Sequence, residues 1–404
     1  MPFIFNRQPI DRVANVYIGI DFGATYTKLA FRVMDAGTNT LAGRIKTIQI
    51  ENPEQGGQTT RYYPSKLGFN SKNGELIFHD FKQSNIEEVK YFKYSILNTI
   101  LPTTGAIQRV KTKNAIPCLC AAFFLAHMIK IIKGDVEKSD DVRNYNELKW
   151  HINMGKPANK FNEKSYHIYD EVLQIAWQLV EGYSGFIQHK IKLEELDGKY
   201  TELRTQVNSS PNPNLHTVPE LYAEIVAFLQ SSSVDQGLYT VVDVGGATVD
   251  LAVFFKEISN NIPSIRCVAQ EVSPVGYEIF RQDSNNIENV QRIDFCYGNA
   301  LTDVYQRHRF LIQNLQRHKV FFMGGARGVK FYREHVLGMS EVHVQNFINF
   351  PDTIEVDIVD FLSSNRNTFK SNLNTDFLDQ RLLIAQMLAQ PFVEIPKLKG
   401  APWF

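Results

Sequence analysis

Cysteine is scarce in this sequence: 404 residues contain four, at Cys118, Cys120, Cys267 and Cys296. None forms a Cys-x-x-Cys pair, so neither a disulfide scaffold nor a zinc site is indicated. Cys118-x-Cys120 lies in an apolar run with no second ligand pair and reads as core packing, because a free cysteine behaves as a small hydrophobe. Net charge is also missing, with 43 basic residues against 43 acidic ones. That balance argues against nucleic-acid binding by bulk electrostatics and leaves only a local basic patch open. The opening MPFIFNRQPIDRV lacks a basic stretch followed by a long apolar one, so no secretory signal is expected. The most apolar window, Ala115 to Ile132, approaches the length of a membrane span but is interrupted by Pro117, His127 and Lys130. A buried helix is expected there, in a protein of a reducing, cytoplasmic compartment.

What is present describes an ordinary globular chain. Hydrophobic residues make up 44% and charged residues 21%, and the length suits two or three domains. Val16 to Val33 reads as strand, Asp-x-Gly turn, strand, a hairpin signature. Ile45 to Ile50, Arg61 to Phe69 and Leu76 to His79 suggest short strands, and Glu87 to Leu97 and Asn114 to Lys133 suggest helices. Leu148 to Met154 alternates as a strand, and Tyr166 to Tyr183 places Ile168, Val172, Ile175, Leu179 and Val180 on one helical face. Gly185 to Val218 is polar and contains SSPNPN, which reads as an insertion or exposed linker. Pro219 to Gln230 reads as a helix with proline in its first turn.

The opening pattern then returns. IDFGATYTKLAF and VDVGGATVDLAVF share apolar-Asp-apolar-Gly, a following Ala-Thr and an apolar second strand. Copies so far apart suit two related domains rather than a short-period repeat. Arg266 to Val272 follows as a strand, Val320 to Lys330 as strand, Gly-Gly turn and helix start, and Leu378 to Ala389 as a helix.

Tight turns without bulky side chains let backbone N–H groups cradle a phosphate. Gly23 with Ala24, and Gly245, Gly246 and Ala247, supply such turns, while Thr25, Thr27 and Thr248 add hydroxyls. Asp21 and Asp243 end their strands, where carboxylates can hold Mg²⁺ through its water shell. One copy alone is equally well explained as a hairpin turn using Asp and Gly for their conformations. Two copies plus a later Gly-Gly turn point instead to a polyphosphate gripped from both sides.

At these motifs the sequence resembles the heat-shock-70 (DnaK-type) chaperones of the actin-like ATPase superfamily. GIDFGATYTKLAF resembles their first phosphate motif, VVDVGGATVDLAVF their second, VFFMGGARGVKFYREHV their adenosine motif and VPELYAEIVAFL their connecting helix. The resemblance implies an α/β actin-like ATPase fold, with two RNase-H-like lobes around a cleft holding ATP or ADP and Mg²⁺. It implies a first lobe over residues 1–218 with an insertion near 185–218, a second over 219–390 with a shortened outer subdomain, and a tail over 391–404. By position, Asp21 and Asp243 would organise Mg²⁺. Gly23, Ala24, Thr25 and Tyr26 would face Gly245, Gly246, Ala247 and Thr248 across the phosphates. Asp250 matches the second acid of its motif, Glu220 the glutamate of the connecting helix, and Lys90 or Lys93 the lysine near the terminal phosphate. Gly324, Gly325, Ala326 and Arg327 would border the adenosine.

The sequence departs from the family in three places. Ala247 replaces a glycine, proline precedes rather than follows Glu220, and the interval from Gly276 to Gly324 is much shorter. That interval normally supplies an adenine clamp, for which Arg307, Arg309, Arg317 and Lys319 are candidate substitutes. No peptide-binding domain is evident, so ordinary client binding is not implied. The expected function is a Mg²⁺-dependent ATPase switching a protein partner. A non-catalytic interaction module and a self-associating, filament-forming protein are the alternatives. A small-molecule kinase lacks an evident substrate motif. Residues 185–218 and Glu341 to Asn372 are the candidate partner surfaces.

Overall fold

A computed structural model describes residues 12–38, 44–52, 58–78, 84–96, 103, 105–157, 163–183, 185–230, 236–259, 262–278, 298–299, 317–324, 355–359 and 382–391. The chain is mixed α/β. In the first sheet, β1 (Val13–Phe22) and β2 (Tyr26–Asp35) form the anticipated antiparallel hairpin. β3 (Lys46–Thr47) extends it beyond β2, while β10 (Glu147–Lys156) and then β12 (Leu215–Pro219) join in parallel beyond β1. The order is therefore β12-β10-β1-β2-β3, with β6 (Tyr63–Pro64) also paired to β2.

The second sheet repeats this plan. β13 (Gly237–Val244) and β14 (Val249–Ser259) make the hairpin, and β15 (Ile262–Ser273) adds antiparallel to β14. β16 (Arg317–Met323) and β17 (Glu355–Val359) then add in parallel on the β13 side, giving β15-β14-β13-β16-β17. The repeated sequence motif thus occupies the central hairpin of two sheets with the same strand order and sense. Smaller sheets complete the first half: β4 (Ile50–Asn52) with β5 (Gln58–Thr60), and β11 (Lys190–Lys192), β8 (Glu75–Ile77), β7 (Leu67–Asn70) and β9 (Ile86–Val89) in that order.

Burial along β1 shows how the site is framed. Ala14, Val16, Ile18 and Ile20 alternate inward, as a half-buried strand should, but from Ile18 onward both faces are covered. One face packs on α2 (Ile116–Glu137) and α3 (Glu163–Glu181), and the other meets α6 (Leu383–Leu388). The apolar window before Ile132 is the buried core of α2: Cys118 through Ile129 are all buried, and 72% of the window lies inside the protein. A helix apolar around its whole circumference belongs in a core. The second core cluster lies between the two sheets, where α5 (Glu220–Gln230) and α6 pack with Val241, Phe254 and Phe321.

Three expectations are corrected. Residues 185–218 are not an exposed linker: they carry β11, α4 (Leu193–Ser209) and β12, with Leu193, Leu196, Tyr200, Leu203 and Val207 buried at helical spacing. Those few apolar residues were hidden among charged ones, and Asp197 ties the helix down by accepting from the Lys113 and Asn114 amides at 2.7 and 3.0 Å. Glu87 to Leu97 is not one helix. Ile86–Val89 pairs with β7, Tyr91 adopts a left-handed φ of 60°, and only α1 (Phe92–Ser95) is helical. Pro219 ends β12 instead of opening α5, whose first residue is Glu220.

Candidate functional site

Both Asp-x-Gly loops open into one cavity of about 370 Å³ between the two sheets. Asp21 and Asp243, the penultimate residues of β1 and β13, lie on its walls, with Gly23 to Tyr26 on one side and Gly245 to Thr248 on the other. The loops approach one another closely. A methyl group built on Gly246 would fall 1.9 Å from the Thr25 hydroxyl oxygen, so only glycine permits this juxtaposition. Gly324 follows β16 with φ +79°, and a side chain there would collide with Asp243 Oδ1 at 2.0 Å. Gly324 lines the same cavity.

Of the two candidate lysines, the structure brings Lys93 to the site and leaves Lys90 outside. The Lys93 side chain is 1% exposed and its Nζ donates to Glu220 Oε1 at 2.5 Å. Lys90 is 47% exposed and pairs with Glu88 at the surface. The break at Tyr91 separates the two, because it turns α1 inward after β9. Glu220 stands at the start of α5 and is buried, as is Asp250 on β14. Gly325, Ala326, Arg327, Arg307, Arg309 and Cys296 lie outside the described residues, as does most of Glu341 to Asn372. For Arg317 and Lys319 only the strand position is described.

No protein-family model matches the chain, and no curated protein matches it either. The chemistry therefore rests on this chain's own residues.

Lys28 is the most informative residue that sequence reasoning missed. In the first hairpin Asp21 pairs in register with Lys28, and in the second Asp243 pairs with Asp250. Lys28 is thus the counterpart of Asp250, and the equal offset in the two motifs was the signal that could have found it. Its Nζ donates to Asp21 Oδ2 at 2.7 Å. Burial alone would lower the lysine, but the charge and hydrogen bond of Asp21 outweigh it and raise the pKa. Glu224, one helical turn beyond Glu220, also lines the cavity and was likewise missed. Its i, i+4 spacing from Glu220 was the available signal.

The cavity therefore collects five carboxylates, from Asp21, Glu220, Glu224, Asp243 and Asp250, against two ammonium groups from Lys28 and Lys93. Burial, opposed by Lys28, pushes Asp243 up to about 7. Burial and then the neighbouring carboxylates push Asp250 and Glu224 well above the usual range. Burial also raises Glu220, with Lys93 opposing it. Thr25 Oγ1, Asp243 Oδ1, Asp250 Oδ1 and Glu224 Oε2 are buried without a hydrogen-bond partner among the described residues. Such orphaned acceptors are costly and call for a cation or donor. Among the described residues no three acidic, His or Cys side chains converge as a direct metal cage. Asp21, Asp243 and Asp250 are the oxygen donors of this wall that could face a hard cation through its water shell.

Proposed function

We propose that the cleft binds ATP with Mg²⁺ and hydrolyses it slowly, within an actin-like architecture of two RNase-H-like lobes that relays nucleotide state to a protein partner. The observation that carries this reading is the closure of two equivalent hairpin loops on each other, Gly246 against Thr25, over a cavity rich in carboxylates. The matching strand order of the two sheets, and the packing of α5 and α6 between them, support the two-lobe architecture.

Gly23 and Gly245 use their own N–H groups to close the turns, bonding the carbonyls of Asp21 and Thr248 at 3.0 and 2.9 Å. The donors left for phosphate oxygens are then those of Ala24 and Thr25 in one loop and Gly246 and Ala247 in the other. Lys28 and Lys93 contribute positive charge. Asp21 and Asp243 would hold the water shell of Mg²⁺, which would supply neutralisation of the polyphosphate. The adenosine end is assigned to the Gly324 side. Transfer to water needs positioning and charge neutralisation more than covalent chemistry. Water oxygen bonds to the terminal phosphorus, the bridging oxygen leaves with ADP, and the proton of the attacking water passes to the Asp243 carboxylate, which lines the cavity.

A binding module without turnover is the second reading, favoured by one observation: Lys93 and Glu220 are spent on each other in a buried pair. Binding and turnover of MgATP by wild type and Asp243→Ala decide between them. Turnover lost in the variant supports the enzyme. Tight binding without turnover in wild type supports the module, and no binding sinks both.

A further inference from the structure

We infer that Tyr94 is a positioning residue, fixing the gap between the two phosphate loops and aiming the Thr248 hydroxyl at a bound phosphate chain. The inference rests on the nucleotide reading of the cleft and concerns a residue that the sequence motifs do not include. Ala24 from the first loop, Tyr94, and Ala247 from the second form a buried apolar cluster of their own. The Tyr94 hydroxyl lies 2.9 Å from Thr248 Oγ1, joining residues 154 positions apart. One side chain therefore touches both loops, by its ring and by its hydroxyl.

The support behind Tyr94 is rigid. Phe92 on the same short helix packs into the core, with ring centroids 6.1 Å from Phe22 and 5.5 Å from Phe124. The Tyr169 hydroxyl donates to the Lys93 carbonyl at 2.6 Å, and Lys93 itself is tied to Glu220. Entry to α1 is set by the left-handed Tyr91, an uncommon conformation for a bulky residue. Ala247 also gains a reason. Where the resembling motif has glycine, its methyl group here is part of the surface against which Tyr94 packs.

The hydroxyl pair can relay a donor. When Tyr94 donates to Thr248 Oγ1, the Thr248 proton points away from the ring, to the Asp250 carboxyl beside it in the ligand-free site and to a phosphate oxygen once one is bound, and each bond polarises the next. The phenol keeps its proton throughout, because burial and the Asp250 and Glu220 carboxylates raise its pKa.

The test measures dissociation constants for MgATP and for inorganic tripolyphosphate, together with thermal melting. The proteins compared are wild type, Tyr94→Phe, Thr248→Ala and the double variant. Tyr94→Phe keeps the ring and should melt close to wild type while binding both ligands about tenfold more weakly, the scale of one oriented hydrogen bond. In the Thr248→Ala background the same change should add nothing, because the relay is already cut. Wild-type affinity in Tyr94→Phe, or losses that multiply in the double variant, would overturn the inference while leaving the nucleotide reading intact. A wild type that binds neither ligand overturns both.

Discussion

Replacing Asp243 by asparagine should make the ligand-free protein more stable, and more so at high pH. Asp243 has a pKa of about 7 in the fold against 3.8 in its ordinary environment. Between those values the folded state holds a proton that the unfolded chain has released, so this group's contribution to stability falls as pH rises from about 4 to about 7. Each tenfold change in proton affinity between the two states corresponds to about 1.4 kcal/mol, which sets a ceiling on the order of 4 kcal/mol at pH 8 and about 1.5 kcal/mol at pH 5. Asparagine keeps the shape without the titration. The difference between the two stabilisations should therefore be up to about 3 kcal/mol in favour of pH 8. Urea unfolding of both proteins at pH 5 and pH 8 without nucleotide or divalent cation measures it, provided the m-values agree. Equal stabilisation at the two pH values would refute the assignment of a buried, destabilised carboxylate at the end of β13. The same variant should lose MgATP turnover, giving a more stable protein with less activity.

Other expectations follow from particular contacts. Lys93→Ala leaves Glu220 buried without its hydrogen-bonded cation and should cost about 3–5 kcal/mol, whereas Lys90→Ala removes only a surface pair and should stay within about 0.5 kcal/mol; chemical denaturation compares them. Gly246→Ala should push the loops apart and weaken MgATP binding about tenfold or more by calorimetry, with Thr25→Gly in the same protein recovering part of the loss because the obstructing side chain is gone. Leu196→Ala and Leu203→Ala in α4 should each lower stability by about 2–5 kcal/mol in denaturant melts. Near-neutral values there would return residues 193–209 to the status of a peripheral insertion.

The sequence by itself determined the local chemistry. The two Asp-x-Gly hairpins, the amphipathic face of α3 and the buried helix before Ile132 are legible because turn geometry and hydrophobic periodicity act over a few residues. Even Lys28 was within reach, since antiparallel register fixes its pairing with Asp21 from the motif alone. Reading α4 as a linker failed for a different reason. Its five inward residues are diluted by charges, and only the surrounding walls made their spacing meaningful. Tertiary structure decided what the loops face. Lys93 meets Glu220 across 127 positions and Tyr94 meets Thr248 across 154, contacts that no local pattern encodes. Choosing Lys93 over Lys90 depended on one left-handed residue, Tyr91, that follows β9 and turns the next side chains inward. The elevated carboxylates likewise belong to the fold: an aspartate at a strand end is ordinary, and becomes a near-neutral acid only when two sheets close around it and exclude water.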